Sequence, residues 1–76
     1  MRILVTTYRK DSDFPEDETD VSGIGVEVAA SIVGIPADRF LDGYLLDESQ
    51  AATLGKLTGI TFDLDSYEYF LEAEAD

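Results

Sequence analysis

The sequence predicts a single α+β domain over residues 1–76, with a small antiparallel sheet and two helices packed on one face of it. Two runs near the ends alternate apolar and polar side chains with a period of two, which is typical of strands. Between them lie two apolar patterns with helical spacing, each ending at a Gly-Ile pair. Because the N-terminal and C-terminal runs are the most strand-like, we expect these two strands to be adjacent.

The first strand is predicted from Arg2 to Arg9, where β-branched and aromatic side chains alternate. Both of its faces are fairly apolar, which favours a central position in the sheet. Residues 10–20 follow, with six acids between positions 11 and 20 and one proline. This predicts a loop or a short, poorly ordered β-excursion, because like charges resist compaction. Whether residues 11–28 form a second strand or a loop stays open at this point.

The first helix is predicted between Ser22, a candidate N-cap, and Gly34, which precedes Ile35 and Pro36. Its apolar residues recur three and four positions apart, as one face of a helix requires. Two glycines weaken its start, and residues 21–26 also fit a strand that extends a hairpin.

The second helix has clearer signals. Asp47 and Gln50 match a capping box, and Gly59 marks the end. Residues 37–46, which join the helices, carry five large apolar side chains, so we expect them to pack on the core. The face that the second helix turns to the core is predicted to consist of Ala51, Leu54 and Leu57.

The last strand is predicted around Tyr67–Ala73. Its odd positions are apolar or aromatic and its even positions are acidic, with Phe70 as the exception. A strand would therefore separate aromatics and acids onto opposite faces. A helix that begins at Asp65, with Glu68 in its first turn, is the alternative.

Charge and composition narrow the function. Seventeen acids against five bases give a net charge of −12, and residues 11–76 alone carry −15, from 17 acids and two bases. Such a surface repels nucleic acid and anionic membranes and attracts cationic partners. The absence of a long apolar run and of a signal peptide predicts a cytoplasmic protein.

The residue types argue against an enzyme, a cofactor and a metal site. The chain has no histidine and no cysteine, so the commonest general base, the commonest metal ligand and the thiolate are all missing. Gly23 and Gly25 lack the rest of a dinucleotide fingerprint, and Glu16 and Glu68 stand where calcium loops of the EF-hand type need glycine.

With an enzyme and a metal site disfavoured, the sequence favours a protein that acts by binding a partner. Aromatic side chains rimmed by carboxylates are a common kind of interface anchor for a basic partner. The plainer interpretation places Tyr67, Tyr69 and Leu71 in the core with the acids in solvent. The candidate partner-binding residues are Tyr67, Glu68, Tyr69, Phe70, Glu72, Glu74, Asp63, Asp65, Asp13, Glu16 and Asp17.

Three segments carry a family resemblance: the run from Tyr44 to Ile60, the residues Asp63–Asp65, and the Tyr-Glu-Tyr-Phe-Leu-Glu sequence of residues 67–72. Together they resemble small acidic bacterial domains that are uncharacterised or immunity-type proteins, often associated with secreted polymorphic toxins. The resemblance covers roughly residues 44–75, and the terminal hexapeptide is its most specific part.

The resemblance implies an immunity protein that neutralises a toxin by tight stoichiometric binding, the toxin being a basic, nuclease-type domain. From the charge we expect no nucleic acid or membrane partner, and we expect a monomer or weak dimer when the chain is free. Two alternatives remain: an acidic DNA mimic that inhibits a DNA-binding enzyme, and a salt-adapted domain with no special partner.

Overall fold

The two terminal strands lie side by side at the centre of a four-stranded antiparallel sheet in the computed structural model, which describes residues 1–75. Two short 3₁₀ turns, Ser22–Ile24 and Ala37–Arg39, flank the first helix. In chain order, the strands and helices are β1 Arg2–Arg9, β2 Pro15–Asp20, α1 Val26–Val33, β3 Gly43–Leu45, α2 Glu48–Thr58 and β4 Tyr67–Glu74. The strand order is β2-β1-β4-β3, which confirms the predicted α+β fold.

The β1–β4 ladder confirms the predicted neighbours and the predicted side-chain phase. It runs from the pair Arg2–Glu74 to the pair Arg9–Tyr67 without a register shift. Tyr69 and Leu71 face the helices and are 6% and 0% exposed. The alternative helix from Asp65 is therefore wrong.

Part of the acidic segment forms a strand, β2, so the interpretation as a loop alone is wrong. All six of its residues are exposed, and it pairs with β1 from Leu4–Asp20 to Tyr8–Pro15, with an irregularity in register near Thr7 and Tyr8. Backbone hydrogen bonds to β1, rather than burial of side chains, therefore hold this edge strand in place.

The start of the first helix differs from the prediction. Ser22 is not its N-cap, because Gly25 occupies that position with φ +84° and α1 begins at Val26. The Ser22 hydroxyl instead accepts a hydrogen bond from the backbone N–H of Ile3 at 2.9 Å, which joins the 3₁₀ turn to β1. The predicted stop is confirmed, since Gly34 adopts a left-handed conformation at φ +73°.

The capping box of α2 is confirmed. The Asp47 carboxylate accepts from the Gln50 backbone N–H at 2.8 Å, and the Gln50 side-chain oxygen accepts from the Asp47 N–H at 2.9 Å. Ala51 and Leu54 are buried as expected, but Leu57 is 53% exposed. Leu57 lies in the last turn, at the edge of the face that α2 turns to the core, so it does not belong to the core.

The core lies between the helices and one face of the sheet. In the segment of residues 37–46, Phe40 and Leu46 are buried, whereas Leu41 and Leu45 are 71% and 53% exposed. The prediction for this segment is therefore correct only in part, because β3 at the sheet edge turns Leu45 to the side opposite the helices. Within residues 1–75, no helix is long and apolar enough to cross a membrane.

Candidate partner-binding surface

One face of the sheet has no helix packed on it. Residues in cross-strand register point to the same side, and the helices contact the side of Ile3, Val5, Tyr69 and Leu71. We call the opposite side the open face. Its residues are Arg2, Leu4, Thr6 and Tyr8 from β1, Glu18 and Asp20 from β2, Leu45 from β3, and Glu68, Phe70, Glu72 and Glu74 from β4.

The open face is strongly acidic around an apolar and aromatic centre. It carries five acids and one base, and that base, Arg2, already contacts Glu74 at 2.8 Å and Asp20 at 3.7 Å. No basic side chain of the described residues 1–75 pairs with Glu18, Glu68 or Glu72. These three carboxylates are therefore available to a cation from outside the chain.

Glu72 is held in position by its neighbours. Thr6 is 1% exposed, and its hydroxyl donates a hydrogen bond of 2.6 Å to Glu72 Oε1. The side chain of Glu72 lies over Gly43 of β3, where an added Cβ would come within 3.1 Å of Oε2. The glycine and the threonine therefore fix one carboxylate near the middle of the face.

A shallow depression of about 260 Å³ opens beside this carboxylate, and it is lined by Tyr8, Ser12, Asp13, Glu68, Phe70 and Glu72. The rings of Tyr8 and Phe70 meet edge to face, with centroids 5.5 Å apart and planes at 82°. The structure thus brings together four of the predicted binding residues: Asp13, Glu68, Phe70 and Glu72.

The two predicted tyrosines lie on the helix-facing side instead. Tyr69 is buried, its ring packs edge to face on Phe62 at 4.8 Å, and its hydroxyl accepts a hydrogen bond from the Asp63 backbone N–H at 3.0 Å. Tyr67 is half-buried against the core. Both follow the plainer interpretation, and we leave both out of the candidate surface because a partner on the open face would not reach them.

The remaining predicted acids are dispersed. Asp63 and Asp65 lie in the turn before β4, where the Asp63 carbonyl accepts hydrogen bonds from the N–H groups of residues 66 and 67. Glu16 is paired with Arg9 at 3.2 Å on the edge strand, and Asp17 stands opposite Thr7 on the helix side of the sheet. Glu74 is on the open face but paired with Arg2.

Sequence reasoning missed Tyr8, Thr6 and two acids of β2, Glu18 and Asp20. The alternation of β1 places Tyr8 and Thr6 on one side, and the adjacency of β1 and β4 then sets them beside Phe70. The predicted alternation of β1 and the predicted adjacency of β1 and β4, taken together, could have identified Tyr8 and Thr6. Glu18 and Asp20 carry no such signal, since nothing in the pattern of β2 indicates a strand.

The pKa of Asp20 is lowered by its neighbours. Hydrogen bonds from the Ser22 side chain and backbone N–H, the latter at 2.8 Å, hold the pKa of Asp20 below its ordinary value of 3.8. The neighbouring Arg2 lowers it further. Asp20 therefore ties the end of β2 to the turn that follows.

The described residues contain no cluster of three or more potential metal ligands. A family model described as "Domain of unknown function (DUF7683)" matches residues 2–72. No curated protein and no solved structure matches the chain.

Proposed function

We propose that this chain, which belongs to the family described as "Domain of unknown function (DUF7683)", is an immunity protein that neutralises a bacterial toxin by binding it stoichiometrically. The partner is a basic, nuclease-type domain, and the chain performs no catalysis of its own. The observation that carries the proposal is the open face, on which unpaired carboxylates surround two partly exposed aromatic rings and the exposed Leu45.

The apolar centre of the open face supports a protein partner rather than a purely solvating surface. Leu45 is 53% exposed, and Tyr8 and Phe70 are only half-buried. A surface that serves solubility alone gains nothing from partly exposed aromatic rings. At a protein interface the same rings supply apolar contact area, and the acids around them select and orient a basic partner.

The charge supports a positively charged partner that binds quickly. A net charge of −12 attracts a cationic surface over long distances and accelerates encounter, and the effect weakens with salt. A nuclease presents positive charge where it holds phosphate. The carboxylates of the open face can pair with that positive charge. The resemblance of residues 44–75 to immunity-type domains supports a toxin as the partner.

Co-expression with the toxin domain encoded beside this gene tests the proposal. We expect the chain to restore growth of cells that make the toxin, and calorimetry to give one chain bound per toxin. If no toxin gene is adjacent, or if the toxin stays lethal in the presence of the folded chain, the immunity function is wrong.

Two triple variants with the same change in net charge locate the interface. We expect the open-face variant to bind about 30-fold more weakly, from about 0.7 kcal/mol for each of the three lost ion pairs. The control variant keeps the affinity within a few-fold. The open-face substitutions are Glu18→Gln, Glu68→Gln and Glu72→Gln, and the control substitutions, at exposed acids elsewhere, are Glu27→Gln, Asp38→Asn and Glu48→Gln.

A further inference from the structure

The depression on the open face combines aromatic rings with carboxylates. Two aromatic rings, of Tyr8 and Phe70, stand almost perpendicular in it, and the carboxylates of Asp13, Glu68 and Glu72 surround them. Its volume of about 260 Å³ is below the usual range of pockets for drug-sized ligands, about 300–1,000 Å³. It suits one long side chain.

The residue types decide the charge of that side chain. Aromatic faces attract cations through their quadrupole, and three carboxylates exclude an anion. No basic side chain of residues 1–75 pairs with Asp13, Glu68 or Glu72, so the cation must come from a partner.

The geometry favours a guanidinium over an ammonium. A planar guanidinium can stack on one ring while its N–H groups donate to carboxylates in a fork, whereas an ammonium is a compact point charge. Glu72 is suited to receive such a fork, because Thr6 Oγ1 already orients its Oε1 and no other hydrogen bond engages its Oε2 among the described residues. We infer that the depression between Tyr8, Phe70 and the three carboxylates binds the guanidinium of one arginine on the basic partner, an inference that rests on the proposed function for the existence of that partner.

The subsite can be tested without the toxin. The probe is N-acetyl-arginine methylamide, titrated into the ¹⁵N-labelled chain at constant ionic strength, with the lysine analogue as comparison. We expect saturable shifts centred on Tyr8 and Phe70, and weaker binding of the lysine analogue. Phe70→Leu and Tyr8→Leu, which keep apolar volume but remove the aromatic face, should each weaken arginine binding about fivefold.

Phe14→Leu is the matched control, because Phe14 is 79% exposed and does not line the depression. It should bind the probe like the unsubstituted chain, and thermal melting should show that every variant is folded. Shifts spread evenly over the acidic surface, or a folded Phe70→Leu with unchanged affinity, would overturn the inference. Equal affinity for the lysine analogue would overturn the guanidinium assignment.

The result separates this inference from the proposed function. Growth protection together with no arginine site would overturn the subsite and leave the immunity function standing. A saturable arginine site together with no protection would support the subsite and reject the toxin as its partner.

Discussion

Two adjacent residues of β4, Phe70 and Leu71, should respond very differently to truncation. Leu71 is 0% exposed and belongs to the core cluster between sheet and helices. Phe70 points to the open face, where it is half-buried and contacts Tyr8 edge to face at 5.5 Å. We therefore expect Leu71→Ala to cost far more stability than Phe70→Ala, although phenylalanine is the larger side chain.

The magnitudes follow from burial. Leu71→Ala leaves a cavity in a closed core and should cost about 3–4 kcal/mol of unfolding free energy. Phe70→Ala loses most of a buried phenylalanine's transfer free energy, about 1–2 kcal/mol, and a ring pair worth about 0.5 kcal/mol, but it leaves no closed cavity. The total of about 1.5–2.5 kcal/mol lies below the roughly 3–5 kcal/mol of a fully buried Phe→Ala change. A domain of 76 residues has about 8 kcal/mol to lose, so both variants should fold.

Urea unfolding, followed by far-ultraviolet circular dichroism at 25 °C, measures the difference. The slopes of free energy against urea should agree among the three proteins, so that midpoints can be compared directly. If Phe70→Ala is as destabilising as Leu71→Ala, Phe70 belongs to a buried cluster and the open face does not exist as described. If Phe70→Ala is nearly neutral and also fails to weaken toxin binding, the ring has no role at the interface.

Three further predictions concern charge and hydrogen bonding. The melting temperature should rise between about 10 mM and about 500 mM NaCl because salt screens self-repulsion; a flat curve would mean that local pairing already balances the acids. Thr6→Val should cost about 1–2 kcal/mol in urea unfolding, since Glu72 loses its 2.6 Å hydrogen bond, whereas the exposed control Thr19→Val stays within about 0.5 kcal/mol; equal costs would contradict the role of the hydroxyl. Because the pKa of Asp20 is lowered by folding, its charge stabilises the fold above the ordinary pKa of 3.8 and loses that effect as pH falls through the folded value. Asp20→Asn should thus be less stable than the unsubstituted chain at pH 7, and the gap should narrow as the pH falls below 3.8; a gap independent of pH would refute this origin.

The sequence was informative wherever burial repeats with a regular period. In β4 the alternation of Tyr69 and Leu71 with acids reports one buried and one exposed face, so both the strand and its phase were predictable. In α2 the cap and the stop are local signals, made by Asp47, Gln50 and Gly59 within one short segment. These features depend on neighbours in sequence, which is why they could be predicted.

The missed features depend on partners far away in sequence. Strand β2 buries none of its side chains, so its pattern has no period, and only the backbone of β1 makes it a strand. Strand β3 has three residues, and Gly43 is suited to it because Glu72, from another strand, lies over it. The sequence predicted only part of the candidate surface. Phe70 could be identified because it interrupts the acidic positions of β4, whereas its neighbour Tyr8 is identified only by the β1–β4 register.

The central position of the two terminal strands has a consequence for how the chain folds. Arg2 pairs with Glu74 across a separation of 72 residues, and no sheet centre exists until both strands are present. Proteins dominated by such distant pairings close their longest loop before they gain stabilising contacts, so they fold in milliseconds to seconds rather than microseconds. Until residues 67–74 are made, β1 and β3 lack the strand that pairs with both of them. The sheet therefore cannot be completed without β4, and a chain cut before Tyr67 should remain unfolded.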